Sequence, residues 1–258
     1  MPDSAIDPVR KPLLDLIHSE GLPRTSPHDC SYLPDRQAQS EGFTIASLHG
    51  ETYHDLMDMG FRRSGKVVYR PRCEGCQACV PLRVPVATFK PTHSQRRTLK
   101  RNADLTIAVG EPILTDEKIA LYQRYLNHQH PQSPQSGDAD GLREFLYESI
   151  VDTLEVNYIK DGRIVAVSIL DLCSRSVSTV YHFFDPGEAK RSLGVFSVLT
   201  EIDIAKQRQI PYYYMGYWIQ GCATMQYKAN YQPHEILIDG RWKWVDSVSL
   251  KISPADET

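Results

Sequence analysis

No apolar run in this 258-residue chain approaches the roughly 20 residues that span a bilayer, so neither a helical membrane protein nor a membrane partner is expected. The opening Met1-Pro-Asp-Ser-Ala-Ile-Asp-Pro8 has neither the basic start nor the apolar stretch of a secretory signal. A reducing cytoplasm is therefore the expected compartment. Cysteine is scarce: six are too few for a disulfide scaffold, and where they cluster, metal binding or thiol chemistry is expected. Familiar catalytic signatures are missing too. No G-x-G-x-x-G follows a strand, and neither G-x-S-x-G nor H-E-x-x-H occurs, which argues against a dinucleotide fold, a serine hydrolase and a zincin.

Charge is plentiful and unevenly placed. The whole chain carries −3, yet the stretch 61–101 holds eleven Lys or Arg against one acid, Glu74, about +10, leaving about −13 for the rest. Such asymmetry marks either a polyanion-binding surface, where each neutralised phosphate releases counterions, or a solvated basic face.

Periodicity divides the chain into two regions, 1–103 and 104–258. The first 50 residues, rich in Pro, Ser and Asp, are expected to form an irregular arm wrapped onto a core. Residues 51–59 have helical spacing and stop at Gly60. A short strand is expected over 66–70, and an extended run over 80–89, whose prolines predict a sheet edge. A helix is expected over 94–102 with Ser94 as its N-cap. Arg96, Arg97, Lys100 and Arg101 recur on it at spacings of three and four, hence on one face. Cations so placed repel one another, and a phosphate-facing helix explains them better than stability does.

In the second region a strand is expected over 105–109, an amphipathic helix over 115–128, a flexible loop over 131–140 that could act as a lid, and a helix over 142–151. Strands 154–160 and 163–170 form a hairpin on Asp161-Gly162. A strand at 177–184, a helix at 193–207, a strand at 212–215, a short helix at 224–229 and a hairpin on Asp239-Gly240 complete the order. This is a mixed α/β (α+β) order with antiparallel hairpins. It matches a GNAT-like acyltransferase fold, in which a strand leads through a tight loop into a helix whose N-terminus receives a phosphate. That loop is 185–194, with Lys190, Arg191 and Ser192 beside the helix start.

Cys73-Glu-Gly-Cys76-Gln-Ala-Cys79 is the sharpest local signal. Its three thiols can converge on one metal ion, with Cys30 as a fourth ligand. The run also matches the ferredoxin-type C-x2-C-x2-C, so zinc and an iron–sulfur cluster both stand as occupants, beside unpaired reduced thiols as the alternative. Cys173 and Cys222 lie apart and are expected to be packed thiols. His128, His130 and His182 are expected to be structural. The aromatic-rich stretch 212–228 is either core or, through Gly216, Gln220 and Lys228, a substrate-lining surface.

The motifs His28-Asp-Cys-Ser-Tyr-Leu33, Gly60-Phe-Arg-Arg-Ser-Gly65, Tyr69-Arg-Pro-Arg-Cys73 through Pro81, and Ser94-Gln-Arg-Arg97 resemble the N-terminal region of the aminoacyl-tRNA–protein transferases. Phe184-Asp-Pro186, Ser192-Leu-Gly194, Gly216-Tyr-Trp-Ile219 and Met225-Gln-Tyr-Lys228 are similar to their C-terminal region. The resemblance spans roughly residues 28–245. It is strongest to the compact bacterial aspartate/glutamate leucyltransferase branch, a relative of the eukaryotic arginyltransferases. It implies transfer of leucine from leucyl-tRNA to a protein whose N-terminal residue is Asp or Glu, marking that protein for the N-degron pathway. From the eukaryotic relatives it also implies a metal or iron–sulfur site at Cys30, Cys73, Cys76 and Cys79.

An aminoacyl ester is already activated, so no cofactor is required for the chemistry. The reaction needs a neutral amine, an oriented carbonyl, oxyanion stabilisation and a proton acceptor. On this footing Arg96, Arg97, Lys100, Arg101, Arg191 and Ser192 are expected on the tRNA. Arg70, Arg72 and Arg83 are expected on the acidic N-terminus, because Arg binds a carboxylate bidentately. Tyr181, Asp185, Tyr217 and Lys228 are the candidates for proton removal or orientation, although Asp185-Pro186 could equally start a turn and Tyr181 could be core. Three alternatives stand beside this reading: arginine as the transferred residue, an acetyl-coenzyme A-dependent GNAT acyltransferase, and a zinc-bearing nucleic-acid-binding protein. Gly194-Val-Phe lacks the second glycine expected of a coenzyme A loop.

Overall fold

The computed structural model describes residues 7–19, 21–129 and 138–245. The N-terminal stretch is less irregular than expected, because Leu13, Leu14 and Ile17 recur at helical spacing and seat α1 (Arg10–Ser19) on an apolar cluster. Strands β1 (His28–Asp29) and β2 (Gln37–Ala38) pair with each other. Strand β3 (Ser40–Thr44), helix α2 (Gly50–Asp58), β4 (Arg62–Ser64) and β5 (Val67–Pro71) follow, and the three strands form an antiparallel sheet in the order β3-β5-β4.

Strand β6 (Val80–Pro85) then leaves this unit, and α3 (His93–Arg101) follows. Thr92, not Ser94, caps α3. Thr92 Oγ1 accepts the Gln95 N–H at 3.3 Å while Gln95 Oε1 accepts the Thr92 N–H at 2.8 Å, a reciprocal box that satisfies two donors.

Next come β7 (Thr106–Gly110), α4 (Asp116–Gln129), α5 (Ala139–Leu142) and one wide turn, Arg143–Tyr147. The helix expected over 142–151 is therefore shorter, since the chain is extended again at Glu148. His130 and most of the expected 131–140 lid lie outside the described residues. Hairpin β8 (Thr153–Lys160) and β9 (Arg163–Leu172) turns on Asp161 and Gly162, both at positive φ. Strand β10 (Ser176–Phe184) leads through a 3-10 turn, Pro186–Arg191, into α6 (Leu193–Gln207). Strand β11 (Tyr212–Trp218), α7 (Ala223–Gln226), a 3-10 turn Tyr227–Asn230, β12 (His234–Ile238) and β13 (Arg241–Val245) close the chain.

These strands form one eight-stranded sheet, β13-β12-β6-β11-β10-β9-β8-β7, antiparallel except for β10 and β11. Strand β6 is interior rather than the expected edge. Its prolines are tolerated because β12 pairs only with Leu82 and Arg83, and Pro81 and Pro85 flank that short stretch. The sheet thus runs across the 103/104 division of the sequence. Helix α6 covers one face, packing Phe196, Leu199 and Ile202 against Tyr213 and Val177. On the other face α4 covers β9 and β10, with Tyr122 and Leu121 against Phe183 and Val167. The three-stranded unit reaches the sheet through Tyr53, Leu56 and Tyr214. The architecture is a GNAT-like mixed α/β fold with a β-rich N-terminal unit docked on it. No helix among the described residues is long and apolar enough to cross a membrane.

Candidate active site

Strands β10 and β11 are paired only where Ser176, Val177 and Ser178 face Tyr212, Tyr213 and Tyr214. Register shifts at Thr179/Tyr181 and at Tyr214/Gly216 then mark where the two strands part, β10 continuing along β9 and β11 along β6. Gly216 takes φ 78°, and a Cβ there would meet the Arg62 guanidinium at 3.6–3.7 Å. Arg62 reaches across from β4, donating to Ser178 Oγ at 2.6 Å and to the Thr179 carbonyl. A fixed cation therefore stands where the strands separate, a position suited to a developing oxyanion.

Lys228 lies close by. Its Nζ donates to the Tyr217 carbonyl at 2.7 Å, and the residue is 8% exposed. Burial first, and then the Arg62 charge, push its ammonium down to about 7. It is an amine able to accept a proton near neutral pH. Tyr217 donates its hydroxyl to the Gly60 carbonyl at 2.9 Å, and burial keeps that phenol protonated.

Gly60 and Tyr217 also line an open cleft of about 1060 Å³ that includes Arg24, Arg70, Arg72 and the three cysteines of the 73–79 run. Buried Glu41 organises its cations, accepting from Arg70 at 2.6 Å and Arg72 at 2.9 Å. Burial would raise the Glu41 carboxyl, but the bonds from Arg72 and Arg70 outweigh it and hold it below the usual range. Arg70 is further committed to the Met59 carbonyl and lies 4.4 Å over the Phe61 ring, whereas the Arg72 side chain is 48% exposed. Arg83 is not brought into the cleft. Asp58, Glu235 and Tyr214 hold its guanidinium, and the Tyr212 and Trp242 rings sandwich it.

The four cysteines of the expected metal set are neighbours. Burial drives the Cys79 thiol up to about 12, and Cys73, Cys30 and Cys76 push it the same way. Cys73 Sγ accepts the Gln39 N–H at 3.4 Å. Even so, among the described residues no three His, Cys, Asp or Glu side chains converge into a group that could hold an ion, so the thiol chemistry suits a metal while the present arrangement does not. Cys173 and Cys222 are packed thiols, as expected, and Cys222, distant in sequence, packs with Cys79 and Tyr217 in one apolar cluster.

On α3, Arg96, Arg97, Lys100 and Arg101 are exposed while Gln95 and Thr98 face inward. The helix docks on the loop before α6: Arg101 donates to the Lys190 carbonyl at 2.6 Å, and Asn102 to the Arg191 carbonyl at 2.9 Å. Ser192, at φ 56°, opens α6 beside it. Arg191 is neutralised by Asp104 and Glu188. Asp185 is tied to Arg163 and to the Gly187 N–H and starts the 3-10 turn. Tyr181 sits among Tyr122, Tyr125 and Phe145, on the α4 side of the sheet. The structure thus brings Tyr217 and Lys228 together and leaves Tyr181 and Asp185 in other surroundings.

Two residues escaped the sequence reading. Arg62 was one cation among eleven, with nothing local to single it out. Glu201, fully buried on α6, had a signal: it is an acid three residues before Ile204 and four before Ala205, on the apolar face of its helix.

A family model described as arginine-tRNA-protein transferase, N terminus, matches residues 28–97, and its C-terminus counterpart matches residues 117–238. The aspartate/glutamate leucyltransferase of Pseudomonas fluorescens (strain SBW25) is 44% identical over 220 residues, covering 84% of this chain and 94% of that protein. The namesake from Hahella chejuensis (strain KCTC 2396) is 41% identical over 224 residues, with the same coverage, 84% and 94%. Among solved structures, the C-terminal domain of a putative lysylphosphatidylglycerol synthetase from Agrobacterium fabrum aligns with TM-score 0.45 at 15% identity, over 69% of this chain and 55% of that one. FemX aligns with TM-score 0.42 at 8% identity, over 71% and 64%. With both family models matched in order and near-complete relatives above 40% identity, the chain belongs to the arginine-tRNA–protein transferase family of aminoacyltransferases.

Proposed function

We propose that this protein transfers leucine from leucyl-tRNA to the α-amine of proteins beginning with Asp or Glu, in the cytoplasm, and so commits them to N-degron degradation. The observation that carries this reading is the 41–44% identity, across most of both chains, to proteins named aspartate/glutamate leucyltransferases. The geometry supports it with a gap between β10 and β11, a cationic helix docked on the loop that joins β10 to α6, and a cleft holding arginines.

In this reading α3 and the loop before α6 hold the tRNA backbone through Arg96, Arg97, Lys100 and Arg101. Arg72 and Arg24, the exposed arginines of the cleft, receive the acidic side chain of the acceptor, with Arg70 behind them. The acceptor amine attacks the ester carbonyl, Arg62 stabilises the oxyanion, and Lys228 takes the proton released from the amine. The terminal ribose oxygen departs as the ester bond breaks and takes that proton from Lys228, which leaves the lysine neutral again. Cys30, Cys73, Cys76 and Cys79 enter no step.

The test is to incubate the purified protein with leucyl- or arginyl-tRNA and peptides beginning with Asp, Glu, Lys or Ala, and to weigh the products. Leucine added to the Asp and Glu peptides alone is expected. Arginine in its place, the residue in the family model's description, would establish the second reading. No product with either donor overturns both.

A further inference from the structure

Glu201 is the buried acid that the chemistry above leaves unused. It projects from α6 and is wholly enclosed, with one carboxylate oxygen accepting the Tyr213 hydroxyl at 2.5 Å. The other, Oε1, has no hydrogen-bond partner. Burial raises its carboxyl to about 7, opposed by the hydroxyls of Tyr213, Ser168 and Thr179, and no cation is among the groups acting on it. Burial first, and then its charge, raise Tyr158, Tyr213, Tyr227 and Tyr231, so four phenols lie within electrostatic range of one carboxylate.

The neighbourhood is short of partners in other ways. Tyr231 Oη and His182 Nε2 are also buried and unpaired, and Ser168, which bonds His182 Nδ1 at 2.9 Å, lies between His182 and Glu201. Buried polar atoms left bare cost about 1–3 kcal/mol each. A cluster of them is expected where a ligand completes the hydrogen bonding. Tyr227, 42% exposed, is the member that reaches solvent.

Thr179 links this cluster to the reaction. Its carbonyl receives Arg62 at the point where β10 and β11 part, while its hydroxyl acts on Glu201 from the α6 side. An ester carbonyl held at Arg62 therefore has the Glu201 carboxylate on the far side of the same residue. Glu201 Oε1 takes a donor, and a compact cation compatible with aromatic walls would match the charge of the carboxylate as well.

We infer that Glu201 and the tyrosines near it form a receptor for a protonated α-amine, the group borne by an aminoacyl donor and by an acceptor N-terminus before it gives up its proton to become the nucleophile. The assignment of that amine to a substrate rests on the transfer reaction proposed above. The amine receptor itself does not.

The experiment uses leucinamide and an Asp-initiated dipeptide amide as probes, each with its N-acetylated counterpart, titrated into the purified full chain. The free amines are expected to bind at least about ten-fold more tightly than the acetylated forms. In Glu201→Gln, which keeps the side-chain shape, that preference disappears. In Tyr213→Phe, which keeps the carboxylate, it shrinks, and this variant decides the matter if circular dichroism shows Glu201→Gln to be unfolded. Preference for leucinamide together with a raised KM for leucyl-tRNA assigns the receptor to the donor. Preference for the dipeptide with a raised KM for acceptor assigns it to the N-terminus. An undiminished preference in folded variants, or none in the wild type, overturns the inference. Amine preference that depends on Glu201, in a protein that transfers nothing, leaves the receptor standing and removes the transfer reading.

Discussion

The guanidinium of Arg62 and the carbonyl of Thr179 belong to different sheets, yet one hydrogen bond joins them where β10 and β11 separate. That bond puts an N-terminal cation inside the transferase half, within electrostatic range of Lys228. If Lys228 must be neutral to accept a proton, kcat/KM rises as pH passes through about 7. Arg62→Gln removes a charge that holds this value down, so the rise moves to higher pH and kcat falls by roughly 10²–10³ with the oxyanion partner. A pH–rate profile in which the midpoint stays put defeats the pairing.

Lys228 also couples stability to pH. Its folded value lies below the usual 10.5, so the unfolded chain holds the proton more tightly and stability grows as pH climbs from about 7 toward 10.5. The slope approaches 1.4 kcal/mol per pH unit at most, roughly. Denaturant melts of Lys228→Met across that window are expected to be flatter than those of the wild type.

Arg63 and Asp171 dock the N-terminal unit on the large sheet, with both side chains fully enclosed and Arg63 Nε 2.9 Å from each carboxylate oxygen. Removing one partner strands a buried charge. Asp171→Asn is expected to lose about 3–5 kcal/mol in urea denaturation. A loss below about 1 kcal/mol would show that the two halves do not depend on this joint.

Charge on α3 acts through salt. Arg97→Glu with Lys100→Glu is expected to weaken tRNA binding for every tRNA sequence alike and to lower the salt slope by about one unit for each phosphate no longer neutralised. Filter binding at several salt concentrations reads both. Equal slopes would move the tRNA elsewhere on the molecule.

Thiol reactivity separates the cysteines. Burial holds Cys79 and Cys173 near 12, so little thiolate is present at neutral pH. Mass-mapped alkylation at about pH 7.5 is expected to label both far more slowly than free cysteine. Rapid labelling of Cys79 would show that the 73–79 run opens in solution.

Much of the fold was legible because its signals are local. The Asp161-Gly162 and Asp239-Gly240 hairpins follow from residues that accept positive φ, and helix 193–207 from sustained apolar content. The errors came where local signals competed. Thr92 displaced Ser94 as a cap because Gln95 could reciprocate. Prolines that predicted an edge at β6 proved compatible with the interior, since the neighbouring strand pairs with only two residues there.

By itself the order of residues determined which chemistry was at hand: a cationic α3, a run of thiols, and an amine near tyrosines, all readable from spacing along one chain. Tertiary structure decided which of these groups meet. It set Arg62 beside Gly216 and enclosed Glu201, while Arg83 became saturated by Asp58 and Glu235 and Asp185 was drawn into a turn. The reason is physical. A side chain's charge state and its free hydrogen bonds depend on neighbours far away along the chain, and only packing brings those neighbours together.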